Sequence, residues 1–277
     1  TAVEALDSIS PKLWIKRDDQ THPLYGGNKV RKLEFILADV KASGKKQLIT
    51  FGATGTNHGV ATSIYCQQQG IDCSVLLFDQ PITPTVQQNL LLMQHFGAHL
   101  YRKGSLLKTV LAFYIKQLFA SRNSYFLFAG GSNISGCIGY VNAAFELKQQ
   151  IDAGLLSEPD FIYCPVGSSS TLAGLTLGCW LAGLSTNVVG VRVAPSHLGP
   201  IPACTPKTVS KLMTQTYKHL KSLDSSLSDK SLPLINLNEE FYGEGYGYPS
   251  PAGQAATHIF QQAGIRLEPT YTAKAAA

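Results

Sequence analysis

The stretch Gly26-Gly27-Asn28-Lys29-Val30-Arg31-Lys32-Leu33 sets a lysine at the mouth of a helix, behind two glycines that let the backbone pass close to something bulky. A lysine held in such a place gives up its proton readily, and a neutral amine attacks an aldehyde. Lys29 is therefore the candidate Schiff-base lysine. On Gly-Gly-Asn-Lys alone, a surface lysine after a turn explains as much. A second, distant loop shifts the balance. In Pro165-Val166-Gly167-Ser168-Ser169-Ser170-Thr171 a strand precedes and a helix follows. Open amides at a helix start, with hydroxyls beside them, make an anion site. Gly167 frees the backbone, and Ser168, Ser169, Ser170 and Thr171 can donate to phosphate oxygens. There is no Walker-type Gly-Lys-Ser/Thr and no GxGxxG opening a βαβ unit, so the loop does not read as an ATP, GTP or dinucleotide site.

Two more segments carry side chains suited to the same pocket. In Gly52-Ala53-Thr54-Gly55-Thr56-Asn57-His58, Thr56, Asn57 and His58 can bind a carboxylate and a ring hydroxyl together. An ordinary helix cap with a solvated histidine is the alternative. In Gly243-Glu244-Gly245-Tyr246-Gly247-Tyr248-Pro249, glycines let Tyr246 lean into a cleft, where a phenol serves as acid or base. Tyr242 and Tyr248 read as turn plugs. An imine-forming lysine, a phosphate cradle and hydroxyl-bearing loops fit one cofactor, pyridoxal 5′-phosphate.

The elements that must hold these residues alternate along the chain. Strands are expected at Leu13–Lys16, Gln47–Phe51, Cys73–Phe78, His99–Tyr101, Tyr125–Phe128, Phe161–Cys164 and Val188–Val193. Helices are expected at Lys32–Ala42, Asn57–Gln69, Pro84–Phe96, Ser105–Phe119, Gly136–Ala153, Ser170–Ala182, Val209–Leu223 and Ala252–Ala263. Ser222–Ser231 reads as an exposed loop and Glu239–Pro251 as a Gly- and Tyr-rich one. Such alternation implies open parallel sheets with flanking helices, an α/β fold whose ligands sit at the carboxyl ends of the strands. The loops Gly52–His58, Gly130–Asn133 and Gly167–Thr171 fall there, although every strand-to-helix turn favours such residues.

The composition narrows the partners. The chain has 277 residues, 15% of them charged, with a formal net charge of +5 that is scattered in pairs such as Lys16-Arg17 and Arg102-Lys103. That balance suits small anionic ligands and disfavours nucleic acid. No apolar run approaches the length of a membrane span, and the first residues do not resemble a signal peptide. The six cysteines form no CxxC pair and read as reduced, buried thiols, which places the chain in the cytoplasm; no metal site is expected.

The chain also resembles a known family. Trp14 to Asp19, Gly26 to Leu33, Thr56-Asn57-His58, Gly130-Gly131-Ser132-Asn133, Gly167 to Leu175, Gly245-Tyr246-Gly247 and Pro269-Thr270-Tyr271-Thr272-Ala273-Lys274 are similar, in order, to motifs of the D-cysteine desulfhydrase / 1-aminocyclopropane-1-carboxylate deaminase family. The resemblance implies the tryptophan-synthase-β fold, fold type II among pyridoxal-phosphate enzymes. It implies a large domain of residues 1–31 and 134–277, a small domain of 32–133, and a homodimer. It further implies that Lys29 carries the cofactor and moves the substrate α-proton, that Asn57 bonds the ring hydroxyl, and that Thr56 and His58 meet the substrate carboxylate. Gly167 through Thr171 hold the phosphate, Tyr246 and Tyr271 face the substrate, and Thr272 meets the pyridine nitrogen. Family members typically carry serine where Thr56 stands, so its methyl is expected to narrow the substrate side. Deaminases typically carry glutamate at the Thr272 position and glutamine at the His58 position, so both residues point to β-elimination. The activity implied is D-cysteine desulfhydrase, giving pyruvate, ammonia and sulfide. The alternatives are the deaminase, giving 2-oxobutyrate and ammonia, a non-catalytic cofactor-binding protein, and a phosphate-ligand enzyme in which Lys29 is structural. Members continue beyond the last motif, so a chain ending at Ala277 is expected to leave the pocket more open and the activity weaker.

Overall fold

The computed structural model describes residues 1–198, 201–227 and 230–277. Two parallel sheets organise it. The first has the order β5-β4-β3-β6, from β3 (Gln47–Ala53), β4 (Asp72–Phe78), β5 (His99–Gly104) and β6 (Ser124–Phe126). Leu48, Ile49, Thr50 and Phe51 of β3 are all buried, the unbroken pattern of a parallel strand covered on both faces. One cover is α1 (Asn28–Ala42), α2 (Asn57–Gln68) and α3 (Pro84–His95), through Leu33, Ile36, Val60, Ile64 and Met93. The other is α4 (Leu106–Leu118), through Val110 and Phe113, whose ring meets those of Phe51, Phe126 and Phe128.

Beyond α5 (Ile134–Asp152) lies the second sheet, β11-β8-β7, made by β7 (Phe161–Val166), β8 (Asn187–Arg192) and β11 (Asn236–Asn238). Its helices are α5, α6 (Ser170–Leu181) and α7 (Pro206–Leu223), closed over Leu172, Leu177, Val209 and Met213. A short antiparallel pair, β9 (His197–Leu198) and β10 (Ile201–Pro202), precedes α7. The opening hairpin of β1 (Val3–Ala5) and β2 (Trp14–Lys16) leads into a small core of Leu6, Ala256, Ile265, Leu267 and Ala273, shared with α8 (Pro251–Gln262) and α9 (Thr272–Ala275).

Every expected strand and helix is present, with ends moved by a few residues. Three corrections follow. Val188–Val193 is the last strand that the sequence pattern shows clearly, but β9, β10 and β11 follow it, and β11 pairs in parallel with β8, a pairing too short to show as a pattern in sequence. The first long helix starts at Asn28, ahead of Lys32, so Lys29 sits in its first turn. The supposed loop 222–231 begins inside α7, which reaches Leu223, and residues 228 and 229 lie outside the described residues.

The strand order positions the site. From β3 the chain winds outward through β4 to β5, then returns to pair β6 on the opposite side of β3. The loops after β3 and β6 therefore stand side by side at its carboxyl edge, the place where open α/β sheets bind ligands.

Candidate active site

Lys29 is aimed by its own turn. Gly26 has no room for a side chain, because a Cβ there would lie 1.7 Å from the Asp19 carbonyl oxygen. The bulky object that the glycine pair accommodates is thus the chain itself. Gly27 adopts φ 119°, a value that L side chains avoid, and its N–H donates to Asp18 O at 2.7 Å. Two residues after Lys29, Arg31 pairs with Asp18 and with Glu146 of α5, at 2.8 and 2.7 Å, and so clamps the start of α1. Lys16 also pairs with Glu146 at 2.7 Å.

The Lys29 amine ends 5.6 Å from the Tyr271 ring centroid and donates to Asn28 Oδ1 at 3.0 Å. Lys29 is half-buried as a residue, yet enclosure of its ammonium pulls its pKa down to about 8, and the Glu268 carboxylate only partly opposes this. The same enclosure raises the Glu268 carboxyl, whose Oε2 accepts from Tyr271 N at 2.8 Å. Nothing in the sequence singled out Glu268. The phenols of Tyr246 and Tyr271 touch at 2.6 Å with edge-to-face rings, and burial pushes both above the ordinary tyrosine value. Two neutral phenols share one hydrogen bond, so the O–H of the accepting phenol remains to be donated elsewhere.

Tyr271 links this cluster to the serine loop, since a Cβ on Gly167 would lie 2.9 Å from Tyr271 Cε1. Of the serine hydroxyls, Ser170 donates to Gly131 O at 3.1 Å, whereas Ser168 stands 3.4 Å from Gly130 O and Ser169 3.5 Å from Thr208 Oγ1, contacts too long to commit them. The loop therefore offers an anion its backbone N–H groups together with the Ser168, Ser169 and Thr171 hydroxyls. Helix α6 starts with no side-chain cap, whereas α2, α3, α4, α5, α7 and α8 each have one. Lys32, which residue type alone does not distinguish from a surface lysine on a helix, is 1% exposed and donates to Gly130 O at 3.1 Å. Burial, then the neighbouring Lys29 charge, holds its amine far below the usual lysine pKa.

The loop after β3 supplies the facing wall. Thr56 caps α2, its hydroxyl accepting from Gly59 N at 3.2 Å. Its methyl lies where Cβ atoms on Gly52 or Gly59 would stand, at 2.9 and 2.5 Å, so the methyl packs inward and does not narrow the substrate side. His58 is 4% exposed rather than solvated. One ring nitrogen, Nε2, bonds Thr50 Oγ1 at 2.9 Å, and Nδ1 is buried without a partner. Burial, and after it the Lys29 and Lys32 charges, keep the ring neutral. Asn57 Oδ1 accepts from Asn89 Nδ2 of α3 at 2.8 Å. Thr272 stands exposed at the start of α9, its hydroxyl accepting from Glu268 N at 2.7 Å.

The donor set suits a phosphorylated aldehyde. It combines uncapped amides at α6, the buried amine of Lys32 beside them, an orphaned polar atom on His58 and a lysine able to lose its proton near neutrality. Among the described residues no group of His, Cys, Asp and Glu could hold a metal ion, and no helix is long and apolar enough to cross a membrane.

A family model described as "Pyridoxal-phosphate dependent enzyme" matches residues 1–277. A D-cysteine desulfhydrase of Klebsiella pneumoniae (strain 342) is 32% identical over 98% of this chain and 81% of its own length. The D-cysteine desulfhydrase of Serratia proteamaculans (strain 568) gives the same identity and coverages. Among solved structures, an ACC deaminase homologue superimposes with a TM-score of 0.81 at 26% identity, covering 99% of this chain and 82% of that one. A threonine deaminase isoform from Solanum lycopersicum shares the fold, with a TM-score of 0.66 at 15% identity, covering 99% of this chain and 76% of that one.

Proposed function

The chain belongs to the pyridoxal-phosphate dependent enzyme family, and from that membership we propose that it is a lyase acting on a small amino acid with a β-leaving group, D-cysteine first. The reaction converts D-cysteine and water to pyruvate, ammonia and hydrogen sulfide. The observation that carries this reading is the Lys29 amine, which titrates at about 8 and lies 5.6 Å from the Tyr271 ring.

Pyridoxal phosphate supplies, when bound, an aldehyde that condenses with amines and a ring that withdraws electrons from the substrate Cα. The α6 amides, the Ser168, Ser169 and Thr171 hydroxyls and Lys32 would hold its phosphate, Asn57 its ring oxygen, and Lys29 is the residue to which it would attach. Lys29 Nζ, once free and neutral, accepts the α-proton. The Tyr246–Tyr271 pair keeps one phenolic proton uncommitted, which we assign to the departing sulfur. Thr56 and His58 lie on the wall that we assign to the substrate carboxylate. Thr272 is neutral, so it leaves the pyridine nitrogen without an acidic partner.

The sheet β5-β4-β3-β6 and the sheet β11-β8-β7 are the centres of the small and large domains, with boundaries near residues 31 and 133. The enzyme works in the reducing cytoplasm, consistent with six cysteines that are all buried and unpaired. It works as a homodimer. Helix α4 supports this, because it is apolar on both sides: Val110 and Phe113 face the sheet, while Leu107, Leu111, Tyr114 and Leu118 are exposed on the other face, continued by exposed Phe119 just past the helix end.

The test is a parallel assay of purified holoenzyme on D-cysteine, L-cysteine and 1-aminocyclopropane-1-carboxylate. Pyruvate and sulfide from D-cysteine support the proposal. Release of 2-oxobutyrate from the cyclopropane substrate alone assigns the chain to ring opening, and cofactor uptake with no turnover on any substrate makes it a non-catalytic binder.

A further inference from the structure

One nitrogen on α3 determines what Asn57 shows to the cleft. Asn89 Nδ2 donates to Gly55 O and to Asn57 Oδ1, each at 2.8 Å. A peptide carbonyl can only accept, so the Gly55 contact fixes which end of the Asn89 carboxamide carries hydrogen. The same nitrogen faces Asn57, which must therefore turn its oxygen inward. The amino group of Asn57 is left on the far side of its carboxamide. It has no partner among the described residues and is not among their buried, unpaired atoms. The lock is itself rigid. Asn89 is 6% exposed. A Cβ on Gly55 would lie 2.7 Å from Val86 Cγ2 and 2.9 Å from Val86 Cα, so α3 presses directly on the loop. Gly55 N donates to Gln80 Oε1 at 3.2 Å, which ties the loop from its other side.

We propose that Asn89 is a positioning residue that holds Asn57 with its N–H donors toward the cleft, so that the site selects an anionic ring oxygen on the bound cofactor. An unlocked asparagine presents its oxygen or its nitrogen with similar ease, whereas a locked one presents only donors. The inference rests on the reading of this cleft as a pyridoxal-phosphate site. An aspartate in place of Asn89 would have the same shape but could only accept. Asn57 would then turn its amino group inward to meet the carboxylate and show the cleft an oxygen.

The experiment titrates each chain with pyridoxal phosphate and reads the dissociation constant and the visible absorption band. Asn89→Asp and Asn89→Ala are each made in the native background and in the Asn57→Ala background. In the native background Asn89→Asp should weaken binding about 10- to 100-fold and displace the band, as expected for a lost hydrogen bond to a charged group. Asn89→Ala, which frees the carboxamide of Asn57 without reversing it, should weaken binding less. In the Asn57→Ala background neither change should move the constant more than about twofold, because the residue they orient is gone. Equal losses in both backgrounds would show that Asn89 supports the fold alone and would overturn the inference, as would native binding in both variants. Should Asn89→Asp fail to fold, Asn89→Ala in the two backgrounds decides between the same outcomes. A native chain that takes up no pyridoxal phosphate overturns the functional reading and this inference with it. Normal uptake with an unmoved Asn89→Asp overturns the inference alone.

Discussion

The chemistry turns on where protons reside. Lys29 is the lysine beside the tyrosine pair, and its amine is half deprotonated at about pH 8 because burial penalises the ammonium more than Glu268 rewards it. The folded value is lowered, so the neutral amine becomes available as pH rises through about 8, well before an exposed lysine would yield it. The rate at which the cofactor-free chain takes up pyridoxal phosphate should therefore climb with pH, with a midpoint near 8, and level off above it. Stopped-flow absorbance checks this; a midpoint near the ordinary lysine value of 10.5 would mean that the amine is solvated. Lys29 was legible from sequence because glycines and a helix start frame it. Lys32, Glu268 and Asn89 were not, because nothing in a residue's type reveals that its amine, carboxyl or amide is enclosed and aimed by a distant segment. His58 was visible as a carboxylate-binding candidate, with a solvated ring as the alternative; its enclosure was not visible, because Thr50 on the preceding strand is what takes it inside.

At the scale of elements, a strand-to-helix loop and a tyrosine beside the last helix must share a narrow space. Gly167 is the contact point, since an added Cβ would stand 2.9 Å from the Tyr271 ring. Its backbone is not left-handed, so an alanine there is resisted by the ring and not by the chain. Gly167→Ala should lower stability by about 1–3 kcal/mol, the usual cost of overpacking, and weaken pyridoxal phosphate binding at the same time. Thermal unfolding and a binding titration measure the two effects. A smaller residue replacing Tyr271 in the same chain should restore part of the stability, and no restoration would place the strain elsewhere. The alternating apolar runs made the helices and parallel strands readable to within a few residues. Segments whose pairing partners are far away in sequence were missed, as β11 was, because three residues against β8 leave no periodic signature.

For the whole molecule, the adjacency of the loops after β3 and β6 arises from strand order, with β6 returning to the other side of β3, and order is what alternation cannot specify. The outer face of α4 belongs to this scale as well. Leu118 and Phe119 are 80% and 85% exposed at the end of a helix whose inner face already has a core, an arrangement expected of a surface that meets a second copy. Leu118→Glu combined with Phe119→Glu should convert the proposed homodimer to a monomer in sedimentation velocity, with little change in the folded content of each chain. A native chain that sediments as a monomer overturns the proposed homodimer, and a charged variant that remains dimeric removes α4 from its interface. Whether Lys29 is the lysine that carries the cofactor is decided by reducing the holoenzyme with borohydride and mapping the pyridoxyl label by mass spectrometry. The label should be found on Lys29, at one site per chain. A label on Lys32, on Lys274 or spread over surface lysines would refute that assignment.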